Sequence, residues 1–166
     1  MTTVVFSHGQ ESGPWGTKIR AMAECARNLG CEVDSIDYQG IADPTERVAK
    51  LVNACRDIDD RLILAGSSMG GHVATAAATE VGAAGLFVLA PAYYMEGYES
   101  LTPVPPSIPI CIVHGWNDAI VPVENSIRFA QSCSATLHLV DGDHRLTANI
   151  DAINEYLRIF ITTTSE

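Results

Sequence analysis

The chain has 166 residues, of which 47% are apolar and 18% charged, with 13 glycines and 8 prolines. That is the length of one ordinary domain, able to bury roughly 70% of its unfolded surface, and its composition excludes disordered, collagen-like and coiled-coil chains. Ten Lys and Arg against twenty Asp and Glu give a net charge of −10, which repels nucleic-acid phosphates and anionic lipid, so neither is expected as a partner.

Taken in chain order, short apolar or β-branched runs alternate with longer helical patterns. Thr3–Ser7 reads as a strand and Trp15–Leu29 as a helix, with Gly30 as its stop. Glu32–Asp37 is the next strand. Asp43-Pro44, a capping residue followed by proline, opens a helix to Cys55. Leu62–Ala65 is a strand and Met69–Val81 an alanine-rich helix; Gly85–Leu89 and Ile110–Val113 are strands with no clear helix between them. Prolines at 103, 105, 106 and 109 exclude both helix and central strand there, so this link reads as a stiff surface connection within one domain, 1–166. A helix over Pro122–Ser132, a strand over Thr136–Val140 and a helix over Ala148–Phe160 complete the pattern. Continuous apolar strands separated by helices predict an α/β fold: a three-layer, doubly wound parallel sheet of about six strands.

The five cysteines (Cys25, Cys31, Cys55, Cys111 and Cys133) are odd in number and form no C-x-x-C pair, which suits reduced core residues. Met1–Ser7 has no basic stretch ahead of its apolar run, and no run approaches the ~20 residues that span a bilayer. A cytoplasmic protein is the expectation.

The most informative stretch runs from Arg61 to His72. A buried strand enters Gly66-Ser67-Ser68-Met69-Gly70 and a helix follows. This is G-x-S-x-G in the strand–turn–helix setting that a nucleophilic serine requires. The residues two before and two after the nucleophile must be small, because strand and helix backbones nearly touch. Gly66 and Gly70 meet that condition for Ser68; for Ser67 the flanking residues are Ala65 and Met69, and Met69 is too large. A dinucleotide loop is disfavoured because Ser68 stands where its second glycine belongs, and no G-K-[ST] phosphate loop occurs.

A serine needs a base. Of five histidines, His144 lies on the loop after the last strand, where it can reach Ser68. His8 and His114 each precede a glycine at a strand end and read as loop-shaping residues. His72 lies in the elbow helix and His138 within a strand. Asp118, in the loop after the strand ending at His114-Gly115, is the candidate acid; Asp141 and Asp143 are the alternatives, though more suited to shaping their own turn. The order Ser68, Asp118, His144 suits this fold. The backbone N–H groups of Met69 and Gln10 are the candidates for an oxyanion hole. Tyr93, Tyr94 and Tyr98, with Trp15 and Trp116, are candidates to wall a substrate groove. No histidine spacing suggests a metal, and no cofactor is implied.

With these pieces in order, the chain resembles the α/β-hydrolase superfamily over nearly all its length. The resemblance rests on His8-Gly9, the elbow at 66–71, His114-Gly115 with Asp118 and Val121-Pro122, and Gly142-Asp143-His144. It implies a small, cap-less serine esterase that lacks the family's first two strands. The substrate expected is a small-molecule ester or thioester, cleaved without a cofactor. The alternative is a binding protein that keeps the fold without the activity. The oligomeric state is left open.

Overall fold

The structure, a computed structural model, describes residues 1–164. Its strands are β1 (Thr2–Ser7), β2 (Glu32–Ile36), β3 (Arg61–Ser67), β4 (Gly85–Leu89), β5 (Ile110–Gly115) and β6 (Thr136–Val140). Its helices are α1 (Thr17–Asn28), α2 (Pro44–Cys55), α3 (Met69–Ala77), α4 (Val123–Cys133) and α5 (Ile150–Thr163). The six strands form one sheet in the order β2-β1-β3-β4-β5-β6, and every neighbouring pair is parallel. This is the doubly wound sheet that the strand–helix alternation predicts.

The order of the strands places the site. From β1 the chain moves outward to β2, then crosses back to add β3 on the other side of β1. The direction of winding therefore reverses between β1 and β3. The loops leaving these two strands diverge there, which opens a crevice at the carboxyl edge of the sheet. The loop after β1 begins at His8, and the loop after β3 holds Ser68.

Inner and edge strands differ as their sequences do. β4 and β5 are buried along their whole length, whereas β2 and β6 are partly exposed. One face of the sheet packs Phe6, Phe87 and Val113 against Met22 of α1 and Leu157 and Phe160 of α5. The other packs Leu64, Val88 and Ile112 against Leu51 of α2, Val73 of α3 and Phe129 of α4. Phe87 meets Phe160 with ring centroids 5.8 Å apart, and Gly85 leaves the space that the Phe160 ring fills. Among the described residues, no helix is long and apolar enough to cross a membrane.

The helix ends show the local chemistry. The Asp43 carboxylate accepts from the Thr45 N–H at 3.0 Å, with Pro44 at the first helical position. α1 stops where the Cys31 N–H reaches the Ala26 carbonyl at 3.1 Å and the Gly30 N–H reaches that of Arg27 at 2.9 Å. This closure places Gly30 at φ +84°, a conformation glycine adopts without strain. Several boundaries depart from the sequence pattern by a few residues; α5, for one, runs Ile150–Thr163, not Ala148–Phe160. Trp15 lies in a turn, and α1 starts at Thr17. Pro122 precedes α4 as its cap and does not occupy its first turn. α3 ends at Ala77, after which the backbone bonds become irregular: Ala78 bonds back three residues to Thr75, Val81 four to Ala77 and Ala83 five to Ala78.

Phe87 is fully buried at the centre of the sheet, so Phe87→Ala leaves a large cavity against α5. Urea denaturation is expected to show a loss of roughly 3–5 kcal/mol. A loss below about 1 kcal/mol contradicts this packing.

Candidate active site

The β3–α3 turn exposes one side chain at the cost of a strained backbone. Ser68 has φ +54° and ψ −120°, which non-glycine residues rarely adopt. The turn is held from several sides: the Ser68 N–H donates to the Leu89 carbonyl at 2.9 Å, and the Ser68 carbonyl accepts from Ala92 at 3.0 Å. Both flanking glycines are required by space. A Cβ on Gly66 would overlap the Gly70 carbonyl, and one on Gly70 would overlap the carbonyls of Ser7 and His8. Ser68 thus immediately precedes α3, whose first N–H groups have no carbonyl of their own helix to bond. Those groups lend the turn the positive end of the helix dipole.

A second close approach brings two further loops together. Gly115 ends β5, and a Cβ there would overlap the Gly142 carbonyl. Trp116 N–H bonds the Val140 carbonyl at 2.9 Å, and Asn117 N–H bonds that of Gly142 at 3.0 Å. The loop after β5 is thereby tied to the loop after β6, and Asp118 meets His144. His144 Nδ1 lies 2.7 Å from Asp118 Oδ2, while His144 Nε2 lies 3.1 Å from Ser68 Oγ. A chain of hydrogen bonds therefore runs from Asp118 through His144 to Ser68.

The carboxylate is buried, yet every direction around it is used. Oδ1 accepts from the N–H groups of Ile120 and Val121, each at 2.8 Å. Oδ2 faces His144, and His114 Nε2 also stands 3.1 Å away. Burial pushes the Asp118 carboxyl upward, but the bonds from His144, Val121 and Ile120 outweigh it and hold it below the usual range. Asp118 therefore stays ionised and can pair with a positive imidazole. Its depressed value also means that its contribution to stability is full above the unfolded carboxylate range and is lost as pH falls through the folded value.

The other histidines are committed elsewhere. His8 is fully buried and its Nε2 accepts from the Tyr38 N–H at 2.8 Å. It is therefore neutral, and its 3.9 Å approach to Asp37 is no ion pair. His114 is fully buried, bonding Ser126 Oγ at 2.6 Å and the Val121 carbonyl at 3.0 Å. His138 stacks on Tyr156 with centroids 3.8 Å apart. Burial lowers the pKa of His8, His72, His114 and His138. Asp141 accepts from Asn117 Nδ2 at 2.9 Å, and Asp143 caps the N–H groups of Arg145 and Leu146 at 3.0 Å each. Both shape the turn that presents His144.

Two neighbours escaped the sequence pattern. His114 reaches the acid as well as its own loop; its place four residues before Asp118 was the available signal. Lys18, in the first turn of α1, donates to Ser67 Oγ at 3.2 Å. Burial lowers the lysine, while Asp143 and Asp118 act to raise it. Lys18 thus holds the Ser67 hydroxyl, and Ser68 is the serine that meets the imidazole.

The aromatic candidates are placed less uniformly. Tyr93 belongs to the core: it is fully buried, stacks on Phe129 at 3.9 Å and donates its hydroxyl to Thr75 Oγ1 at 2.6 Å. It walls no groove. The Trp15 ring lies 5.6 Å from the Arg27 guanidinium of α1. Trp15 is 40% exposed in the turn just before α1. Tyr94 is half-buried under the Arg128 guanidinium, 3.9 Å from its ring centre. Tyr98 and Trp116 are mostly exposed on the loops leaving β4 and β5. Met69 N–H opens α3, and Gln10 follows Gly9, whose Cα faces the Ser68 side chain. Among the described residues, no group of three or more His, Cys, Asp or Glu is arranged to hold a metal.

The comparisons with other proteins bear on the same fold. No curated protein matches the chain. A protein of the α/β hydrolase superfamily from Xanthomonas campestris pv. campestris superposes with a TM-score of 0.87 at 31% identity, covering 97% of this chain and 98% of that one. An α/β serine hydrolase without lid, also from Xanthomonas campestris, gives 0.81 at 19% identity, covering 98% and 81%. Est1E from Butyrivibrio proteoclasticus gives 0.83 at 16% identity, covering 98% and 87%. The α/β hydrolase domain family matches residues 1–154, and with the fold and the 31% identical structure this shows that the chain belongs to the α/β hydrolases.

Proposed function

We propose that the protein is a serine hydrolase that cleaves carboxylic esters or thioesters of small acyl groups. The observation that carries this reading is the hydrogen-bonded chain Asp118–His144–Ser68, at 2.7 and 3.1 Å. In the first half-reaction, Ser68 Oγ attacks the carbonyl carbon and its proton passes to His144 Nε2. Asp118 steadies the imidazolium through Nδ1. The N–H groups of Met69 and Gln10 receive the negative charge on the former carbonyl oxygen. The intermediate collapses, His144 returns the proton to the departing alkoxide or thiolate, and the acyl group remains on Ser68. Water, deprotonated by His144, then attacks the acyl-enzyme and releases the acid.

The short β4–β5 connection supports a small substrate. Its only helical element is one 3₁₀ turn, Glu99–Leu101, and its prolines stiffen the rest. No inserted helices stand over the crevice among the described residues. An open groove rewards the first few methylenes at about 0.8 kcal/mol each and then ceases to bury more.

Ser68→Ala is expected to lower kcat for a short aryl ester by a factor on the order of 10⁴–10⁶ and to abolish labelling by a fluorophosphonate, while Ser67→Ala keeps most activity. A dead Ser67→Ala with an active Ser68→Ala overturns the assignment. Asp118→Asn is expected to cost a factor on the order of 10⁴ in kcat with the circular dichroism spectrum unchanged; unchanged turnover transfers the acid role to another residue. Across an acyl-length series, kcat/KM is expected to peak at roughly two to six carbons, with no activation at a lipid surface. A steady rise to long chains contradicts an open groove.

A further inference from the structure

Arg47 of α2 is a buried cation that the reaction described above does not use. It is 2% exposed, and it forms no ion pair with a carboxylate among the described residues. A buried charge is costly unless its hydrogen bonds are met. Here backbone carbonyls meet them: Nε donates to Ile41 at 2.7 Å, and Nη1 donates to Gly9 at 3.2 Å, with the His8 carbonyl 3.5 Å away. The guanidinium also lies 5.2 Å from the centre of the Tyr38 ring, which favours the cation.

The Gly9 carbonyl is the point where these contacts converge. Because His8 Nε2 accepts from Tyr38, the proton of this neutral imidazole sits on Nδ1, which donates to the Gly9 carbonyl at 2.7 Å. Ser12 Oγ adds a longer bond at 3.4 Å. One carbonyl thus receives the donors of His8, Arg47 and Ser12. In a trans peptide the C=O and the following N–H point in opposite directions. Pulling the Gly9 oxygen toward Arg47 therefore turns the Gln10 N–H the other way. Gly9 itself packs beside the nucleophile: a Cβ there would stand 3.6 Å from Ser68 Cβ.

We infer that Arg47 is a positioning residue for the oxyanion hole, holding the Gly9–Gln10 peptide so that the Gln10 N–H faces the developing oxyanion. The guanidinium acts through the peptide and touches no substrate. A fixed charge on the carbonyl oxygen also polarises the peptide group, which strengthens its N–H as a donor. At Gly9 the loop runs beside Ser68 while the Gly9 carbonyl turns back toward α2. The catalytic part of this inference rests on the acyl-transfer reading of Ser68; the orientation of the peptide does not.

The test compares wild type, Arg47→Met and Arg47→Lys by crystallography and by hydrolysis of a short aryl ester and its thionoester. Methionine fills the buried space without a donor. In Arg47→Met the Gly9–Gln10 peptide is expected to rotate, kcat for the ester to fall by a factor on the order of 10²–10³, and KM to stay within about twofold. Because sulfur accepts hydrogen bonds poorly, the ester-to-thionoester ratio in kcat/KM is expected to fall toward one. Arg47→Lys restores a charged donor and is expected to recover part of both the kcat and the ratio. A purely structural role predicts a lowered melting temperature, equal losses on ester and thionoester, and no rescue specific to charge; that result overturns the inference. An unmoved Gly9–Gln10 peptide in Arg47→Met also overturns it. If wild type cleaves neither substrate, the acyl-transfer reading fails, and with it the catalytic role of Arg47. The peptide orientation then decides separately whether the clamp exists.

Discussion

The backbone contact between the start of α3 and the end of β1 governs the site. Gly70 sits against the Ser7 and His8 carbonyls, and Gly66 against the Gly70 carbonyl, with no room for a side chain at either. A helix seated that closely can follow β3 only through a turn of unusual geometry, and Ser68 takes the positive φ. Such a conformation costs of order 1–3 kcal/mol and persists only where surroundings over-determine it. Here the adjacent β4 end and the following loop do so, through Leu89 and Ala92. The strain returns a fixed hydroxyl at the reversal point of the sheet, next to the N–H groups that open α3.

A second contact of the same kind fixes Asp118 and His144. Gly115 and Gly142 allow the loops after β5 and β6 to touch. Two separate backbone approaches thus set the relation between three side chains far apart in sequence. Asp118 is satisfied on both oxygens without any ligand, so the proposed reaction needs little rearrangement there when charge develops on His144. His114 extends this support, tying the Asp118 carboxylate to α4 through Ser126.

Much of this was legible from residue order because the signals are local. The glycine spacing around Ser68 selects one serine of two, and strand ends bearing Asp118 and His144 follow from apolar runs that stop at turn residues. The sheet follows from strand–helix alternation. What was not legible depends on tertiary packing. Nothing in the stretch 92–98 distinguishes Tyr93, which turns into the core against Phe129, from Tyr98, which stays in solvent. The contact of Trp15 with Arg27 joins residues twelve positions apart. Arg47 reads in sequence as one more polar residue of an amphipathic helix; only the fold reveals that it faces backbone carbonyls of a loop thirty-eight residues earlier. The helical pattern of side chains continues past Ala77, where the backbone bonds of α3 become irregular.

The proposed reaction passes through a covalent intermediate at a single oxygen atom, Ser68 Oγ. Rapid mixing with a slowly deacylating aryl ester, acid quench and mass spectrometry of the digested protein measures it directly. The expected result is one added acyl group per chain, on the peptide that contains Ser68, formed in a burst equal to the enzyme concentration and absent in Ser68→Ala. Product release with no acylated peptide and no burst, or an acyl group carried by a different residue, contradicts it.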